Sequence, residues 1–113
     1  MIDRLSVLSD LVAFAKPIER LTDMIDELGW SDTPIVVLSA DHIARTLRRF
    51  LTGELAASDV EEWANLIELR DDIGYQPDRS DEIADAIFVL ANPVINGTLD
   101  RPWADELTVS LSA

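Results

Sequence analysis

Apolar residues recur at intervals of three and four along nearly the whole chain, and that spacing restricts it to helices, because a half-buried strand needs alternation of two. Leu5, Leu8, Val12 and Ala15 form the first series, and Ile18, Leu21, Ile25 and Leu28 the second. Pro17 between them either kinks one long helix or opens another at its first turn. Gly29 suits the left-handed position that ends a helix, and Trp30 just beyond is placed to fold back on Ile25. Residues 30–34 read as a joint. The β-branched run at 35–38 is either a short strand or an extended lead-in to the next helix. No second run of similar quality exists to pair with it, which favours the lead-in.

Ser39 is an N-cap for a helix reaching Thr52, where Gly53 stops it. Ala40, Ile43, Ala44, Leu47, Phe50 and Leu51 share one side of that helix, with His42, Arg45, Arg48 and Arg49 on the other. Ser58-Asp59-Val60-Glu61 has the form of a reciprocal capping box; Val60, Trp63, Ala64 and Ile67 then face inward, and Gly74 ends the run. Ser80 caps a further helix with Ile83, Ala84, Ile87, Leu90 and Ala91 inward, closed by Asn92-Pro93. Asn96-Gly97 is a turn, either the tip of a very small hairpin or a plain connection, and the connection is favoured. A last helix starts near Asp100 or Pro102 and turns Trp103, Leu107 and Leu111 inward.

These elements predict an all-α fold, a compact single-domain bundle of five or six helices over residues 1–113, with one short extended segment near 35–38. Residues 1–31 make an N-terminal helical hairpin or kinked helix, and residues 39–112 the main helical core. Trp30, Trp63 and Trp103 supply large buried area to so small a core and read as structural. The length of 113 residues suits one domain, and 48% hydrophobic residues are enough to fold a chain that carries a net charge of −13. The longest uninterrupted apolar run, residues 86–91, falls far short of the roughly 20 residues a membrane span requires. The opening Met-Ile-Asp-Arg lacks the pattern of a secretory signal. The expectation is a soluble, cytoplasmic protein.

Absence of cysteine removes disulfides, thiolate catalysis, iron-sulfur clusters and the usual structural zinc sites. The single histidine, His42, follows Asp41, but adjacent helical residues point about 100° apart and make a poor catalytic pair. No nucleophile elbow, phosphate-binding glycine loop or His-Glu-x-x-His is present. Asp81, Glu82 and Asp85, with Asp71 and Asp72 in the preceding segment, are the carboxylates that a hard cation would need. Asp81 and Glu82 also suit the first turn of a helix without any metal. The expectation is a chain with no catalytic residues, no metal site and no cofactor.

Charge is uneven along the chain. Residues 51–113 hold fourteen acids and three bases, against eight and six in residues 1–50. Such a surface repels nucleic acid and anionic membrane and draws in a basic protein, although it also serves plain solubility. Arg45, Arg48 and Arg49 are the densest basic group, and in so acidic a chain they are expected to pair with its own carboxylates or stay solvated. On the helix after Ser58, Glu61, Asn65, Glu68 and Asp72 fall within a sector of about 60°, with Glu62 and Leu69 flanking and Asp71 at the rim. Arg70 points elsewhere, so nothing in the helix balances the stripe. A solvated helix face explains the same pattern; so does an electrostatic docking face, for which Glu61, Glu62, Asn65, Glu68, Asp71 and Asp72 are the partner-binding candidates.

The passage from residue 47 to 63, Leu-Arg-Arg-Phe-Leu-Thr-Gly-Glu-Leu-Ala-Ala-Ser-Asp-Val-Glu-Glu-Trp, resembles the helix, Gly-Glu-hydrophobic turn and capped helix of small acidic bacterial immunity proteins of the colicin D immunity type. The resemblance covers about seventeen residues and does not extend to the longer N-terminal region or to residues 92–97. It implies a non-enzymatic helical bundle that shields a cell from a toxin nuclease by covering the basic active site with carboxylates. In that role Glu61, Glu68 and Asp72 would take the places of substrate phosphates, with Glu62 and Asp71 at the rim. Two other readings stay open: a self-associating or regulatory module, a homodimer through Leu66, Leu69 and the N-terminal helices, and a metal-dependent enzyme using Asp81, Glu82 and Asp85.

Overall fold

The computed structural model describes residues 3–29, 31, 33–68 and 70–112. Trp30 and Leu69, expected in the core and flanking the acidic stripe, lie outside the described residues. Among the described residues there are seven α-helices and one two-stranded sheet, so the fold is mostly helical.

Helix α1 (Arg4–Val12) ends in a Schellman closure, with Phe14 N–H donating to Leu11 O at 3.0 Å and Ala15 N–H to Asp10 O at 2.9 Å. The left-handed position of that closure is taken by Phe14, at φ 50°, where glycine is usual. Its inward side is set by Val7, Leu8, Leu11 and Val12, whereas Leu5 is 53% exposed and Ala15 is exposed, contrary to the series read from the sequence. The closure at Phe14 turns the chain before the spacing can carry Ala15 inward. Pro17 takes the N-cap of a separate helix, α2 (Ile18–Leu28), and does not kink a long one.

Strand β1 (Val36–Leu38) pairs in parallel with β2 (Ile73–Tyr75), Val36 opposite Ile73 and Leu38 opposite Tyr75. Ile35 N–H donates to Asp72 O at 2.9 Å and Gln76 N–H to Leu38 O at 3.0 Å, which extends the ladder at both ends. The run at 35–38 is therefore a strand and not a lead-in. Its partner escapes a sequence reading because Ile-Gly-Tyr is three residues long, contains a glycine and stands where helical periodicity continues. Gly74 accordingly belongs to β2 and does not stop a helix.

The crossover between the strands consists of α3 (Ala40–Leu51) and α4 (Ala57–Glu68). Gly53, at φ 85°, closes α3 through a second Schellman arrangement, Gly53 N–H to Phe50 O and Glu54 N–H to Arg49 O. After a short 3-10 turn at Pro77–Arg79 comes α5 (Ser80–Ala91), in which Ser80 is the first helical residue rather than the cap. Ala86 is buried in α5 and Ala84 is exposed, reversing the expectation for Ala84, because Ile83, Ile87 and Leu90 centre the buried stripe one position further round. A four-residue helix, α6 (Pro93–Asn96), occupies the 92–97 connection and ends at Gly97, φ 91°. Asp100 Oδ1 accepts from Trp103 N–H at 2.9 Å to start α7 (Arg101–Ser112).

Helix α3 packs on α7, α4 on α5 and α1 on α2, with β1 against α1. One buried cluster runs through all of them: Leu8 and Leu21 from the N-terminal helices join Leu38, Leu47, Trp63 and Ile87. The N-terminal pair is thus part of the same core as the rest. No described helix is long and apolar enough to cross a membrane.

Candidate functional site

The rotation of α4 is locked by its buried side. Val60, Trp63, Ala64 and Ile67 are all enclosed; the Trp63 ring stacks on Phe14 at 6.0 Å between centroids, and its Nε1 donates to Leu11 O at 2.6 Å. That single donor is satisfied, so the indole anchors the helix without an orphaned polar group. The helix begins at Ala57, ahead of the position read from the sequence: Asp59 Oδ2 accepts from Ala56 N–H at 2.8 Å, and Ser58 lies exposed within the first turn. The box expected at Ser58 is therefore corrected to one centred on Ala56 and Asp59, since a carboxylate three residues on can close the cap alone.

With the inner side pinned, Glu61, Asn65 and Glu68 follow at i, i+4 and i+7 as half-buried residues along one edge of α4, and Glu62 is exposed beside them. Asp71 is exposed just past the helix end. Tyr75 on β2 stands close enough to Glu68 for the two to interact: burial first, and the Glu68 charge second, push the phenol above its ordinary value.

Asp72 does not belong to this face. The helix stops at Glu68, the chain turns, and the Asp72 side chain is wholly buried between Arg70 and Arg4. Arg70 Nε donates to its Oδ1 at 2.8 Å, and Arg70 Nη2 and Arg4 Nη1 to its Oδ2 at 2.9 Å and 2.8 Å. The same guanidiniums bond the end of α2, Arg4 to Leu28 O at 2.9 Å and Arg70 to Gly29 O at 2.6 Å. Burial pushes the Asp72 carboxyl up, but the hydrogen bonds and charge of Arg70, with the bond from Arg4, outweigh it and hold the group below the ordinary carboxylate value. The expected stripe of Glu61, Asn65, Glu68 and Asp72 thus loses its last member, because the helical register that would align Asp72 ends a turn earlier.

The cations of the acidic half are all engaged within the fold. Arg70 is committed to Asp72; Arg79 bonds Glu82 at 2.8 Å and the carbonyls of Leu111 and Ser110; Arg101 donates to Leu51 O at 2.7 Å. Of the fourteen carboxylates in residues 51–113, Glu54, Asp72 and Glu82 are in ion pairs among the described residues, leaving eleven outside such pairs. The imbalance seen in composition is therefore an outward-facing one.

Other candidates are absorbed by structure. His42 completes a capping box at the start of α3: its Nδ1 accepts from Ser39 N–H at 3.0 Å while Ser39 Oγ accepts from His42 N–H at 3.2 Å. Burial, with a smaller contribution from Arg45 and against an opposing one from Asp41, lowers the imidazole pKa from 6.5, which favours the neutral form that accepts at Nδ1. Arg45 pairs with Asp41 at 2.8 Å, Arg48 bonds Ser112 at 2.9 Å, and Arg49 bonds Glu54 and lies 5.1 Å over the Phe14 ring. Among the described residues, no three His, Cys, Asp or Glu side chains are placed to share a metal ion. A hollow of about 350 Å³ beside Phe14 and Pro17 holds Lys16, Arg49, Glu54 and Asp59 at its rim, with Arg49 and Glu54 paired and Lys16 bonded to Asp10 at 2.5 Å.

Comparison with protein-family models, with curated proteins and with solved structures finds no match. Sequence reasoning missed the clamp of Arg4 and Arg70 on Asp72. The Arg-x-Asp spacing was its sole local signal, and Arg4 is 68 positions away.

Proposed function

We propose that this chain is a non-enzymatic binding protein that presents a rigid acidic surface to a basic protein, in its most concrete form an immunity protein covering the active site of a toxin nuclease. The observation that carries the reading is the division of labour among its charges: the cations of residues 51–113 serve internal bonds, and eleven carboxylates are left outside ion pairs among the described residues. A docking face needs like charges held by an element that does not move, and α4 meets that need through Trp63. Glu61, Glu62, Asn65, Glu68 and Asp71 are the residues of the face. In the complex Glu61 and Glu68 would take the places of substrate phosphates, with Glu62 and Asp71 at the rim, and lysine or arginine on the partner would offset the cost of covering them.

The test is co-expression with the product of the neighbouring reading frame. A basic nuclease domain that co-purifies, is silenced in the complex, and loses affinity at least tenfold between about 50 and 300 mM salt supports the proposal. Glu61→Lys with Glu68→Lys should weaken that complex by about 2 kcal/mol or more. Affinity unchanged by salt and by the charge swap sinks it.

A further inference from the structure

Helices α5 and α7 pack on different partners, α4 and α3, and make little direct contact with each other. The result is a groove of about 300 Å³ between them, floored by Ala86, Val89, Trp103, Leu107 and Leu111. A separate hollow of about 140 Å³ shares Val89 and Trp103 with it but is lined on its far side by Val60 and Glu61 of α4, and it is not part of the site proposed below. The groove is open to solvent and apolar along its floor, which suits a row of side chains better than a compact substrate. Its rim is acidic. Asp85 lines the groove, Asp81 precedes it by one turn on the same side, and Glu106 lies between Trp103 and Ser110 on the α7 side. None of Asp81, Asp85 and Glu106 is in an ion pair among the described residues, while Glu82 is already held by Arg79 at 2.8 Å.

We propose that this groove is a docking site for an amphipathic helix of another protein, one with apolar residues along one side and lysine or arginine at its edges. Charge complementarity selects that occupant: the floor rewards apolar side chains, and the carboxylates on both walls reward cations beside them. A helix fits the shape, because α5 and α7 each span about 18 Å and leave a trough between them as helix-receiving grooves do. A second copy of this chain is the wrong partner. It brings another net charge of −13, and its most exposed apolar residues, Val94 and Ile95, sit in residues 92–97 without a single cation. The site uses α5 and α7 and does not depend on the α4 face.

The experiment uses the full chain, labelled with nitrogen-15 and titrated with a synthetic probe helix carrying leucine at i, i+4 and i+7 and lysine at the flanking positions. Shifts centred on Val89, the Trp103 side chain and Leu107 are expected. Asp85→Lys, at an exposed position, should weaken binding at least fivefold, and Ser110→Phe, which places a ring over the groove from an exposed position, should abolish it. Glu68→Lys should leave the probe's affinity unchanged while weakening the partner of the α4 face, so failure of one site is distinguishable from failure of the other. The proposal is overturned if a probe of the same composition with scrambled leucines binds equally well, if the shifts centre on α4, or if Asp85→Lys and Ser110→Phe have no effect.

Discussion

The Asp72 carboxylate receives three hydrogen bonds from two guanidiniums while wholly shielded from water, and through them joins α1, the end of α2 and the approach to β2. Removing one partner of a buried pair leaves the other charge uncompensated, so Asp72→Asn should lower stability by about 3 kcal/mol at neutral pH, measured by urea unfolding. The pH dependence has a definite sign. Because folding lowers this pKa, the contribution is full above the unfolded value of 3.8 and disappears as pH falls through the lower folded-state value. The acid limb of the stability curve should therefore be shallower in Asp72→Asn than in the parent, and parallel limbs would show that the clamp does not act this way. Phe14 poses the opposite problem: its left-handed backbone is costly for a side chain, and stacking on Trp63, burial and the Arg49 guanidinium over its ring keep it there.

At the level of elements, α4 shows how a cap is chosen. Ser58-x-x-Glu61 satisfies the pattern of a capping box, but Asp59 reaches back to Ala56 N–H and starts the helix earlier. Asp59→Ala should thus cost about 1 kcal/mol of thermal or denaturant stability, whereas Ser58→Ala should fall within about 0.5 kcal/mol of the parent. The reverse order would restore Ser58 as the cap. Helices α2, α3, α5 and α7 are legible because stops such as Gly29 and Gly53 and caps such as Ser39 act locally on a strong 3.6-residue period. The sheet is not legible, since β1 and β2 are each three residues long and stand 37 positions apart in register. Neither has local character enough to announce a partner, and the pairing is recognisable only once α3 and α4 have brought the two together.

For the whole molecule, the net charge is −13, and most carboxylates among the described residues lie outside ion pairs, so the folded state works against its own repulsion. Screening should relieve it: the Tm is expected to rise by several degrees between about 20 and 500 mM sodium chloride, read by circular dichroism. A Tm that falls or stays level would mean that the surface charges are already compensated within the fold. Periodicity, caps and composition are properties of neighbours along the chain, so the helical character, most of the inward-facing residues and the acidity of the second half are legible without the fold. Tertiary structure alone decided which carboxylates face outward. Glu61 and Glu68 remain at the surface because Trp63 holds their helix from the other side, while Asp72, one helical step further in the same pattern, is drawn inside by an arginine from the far end of the chain.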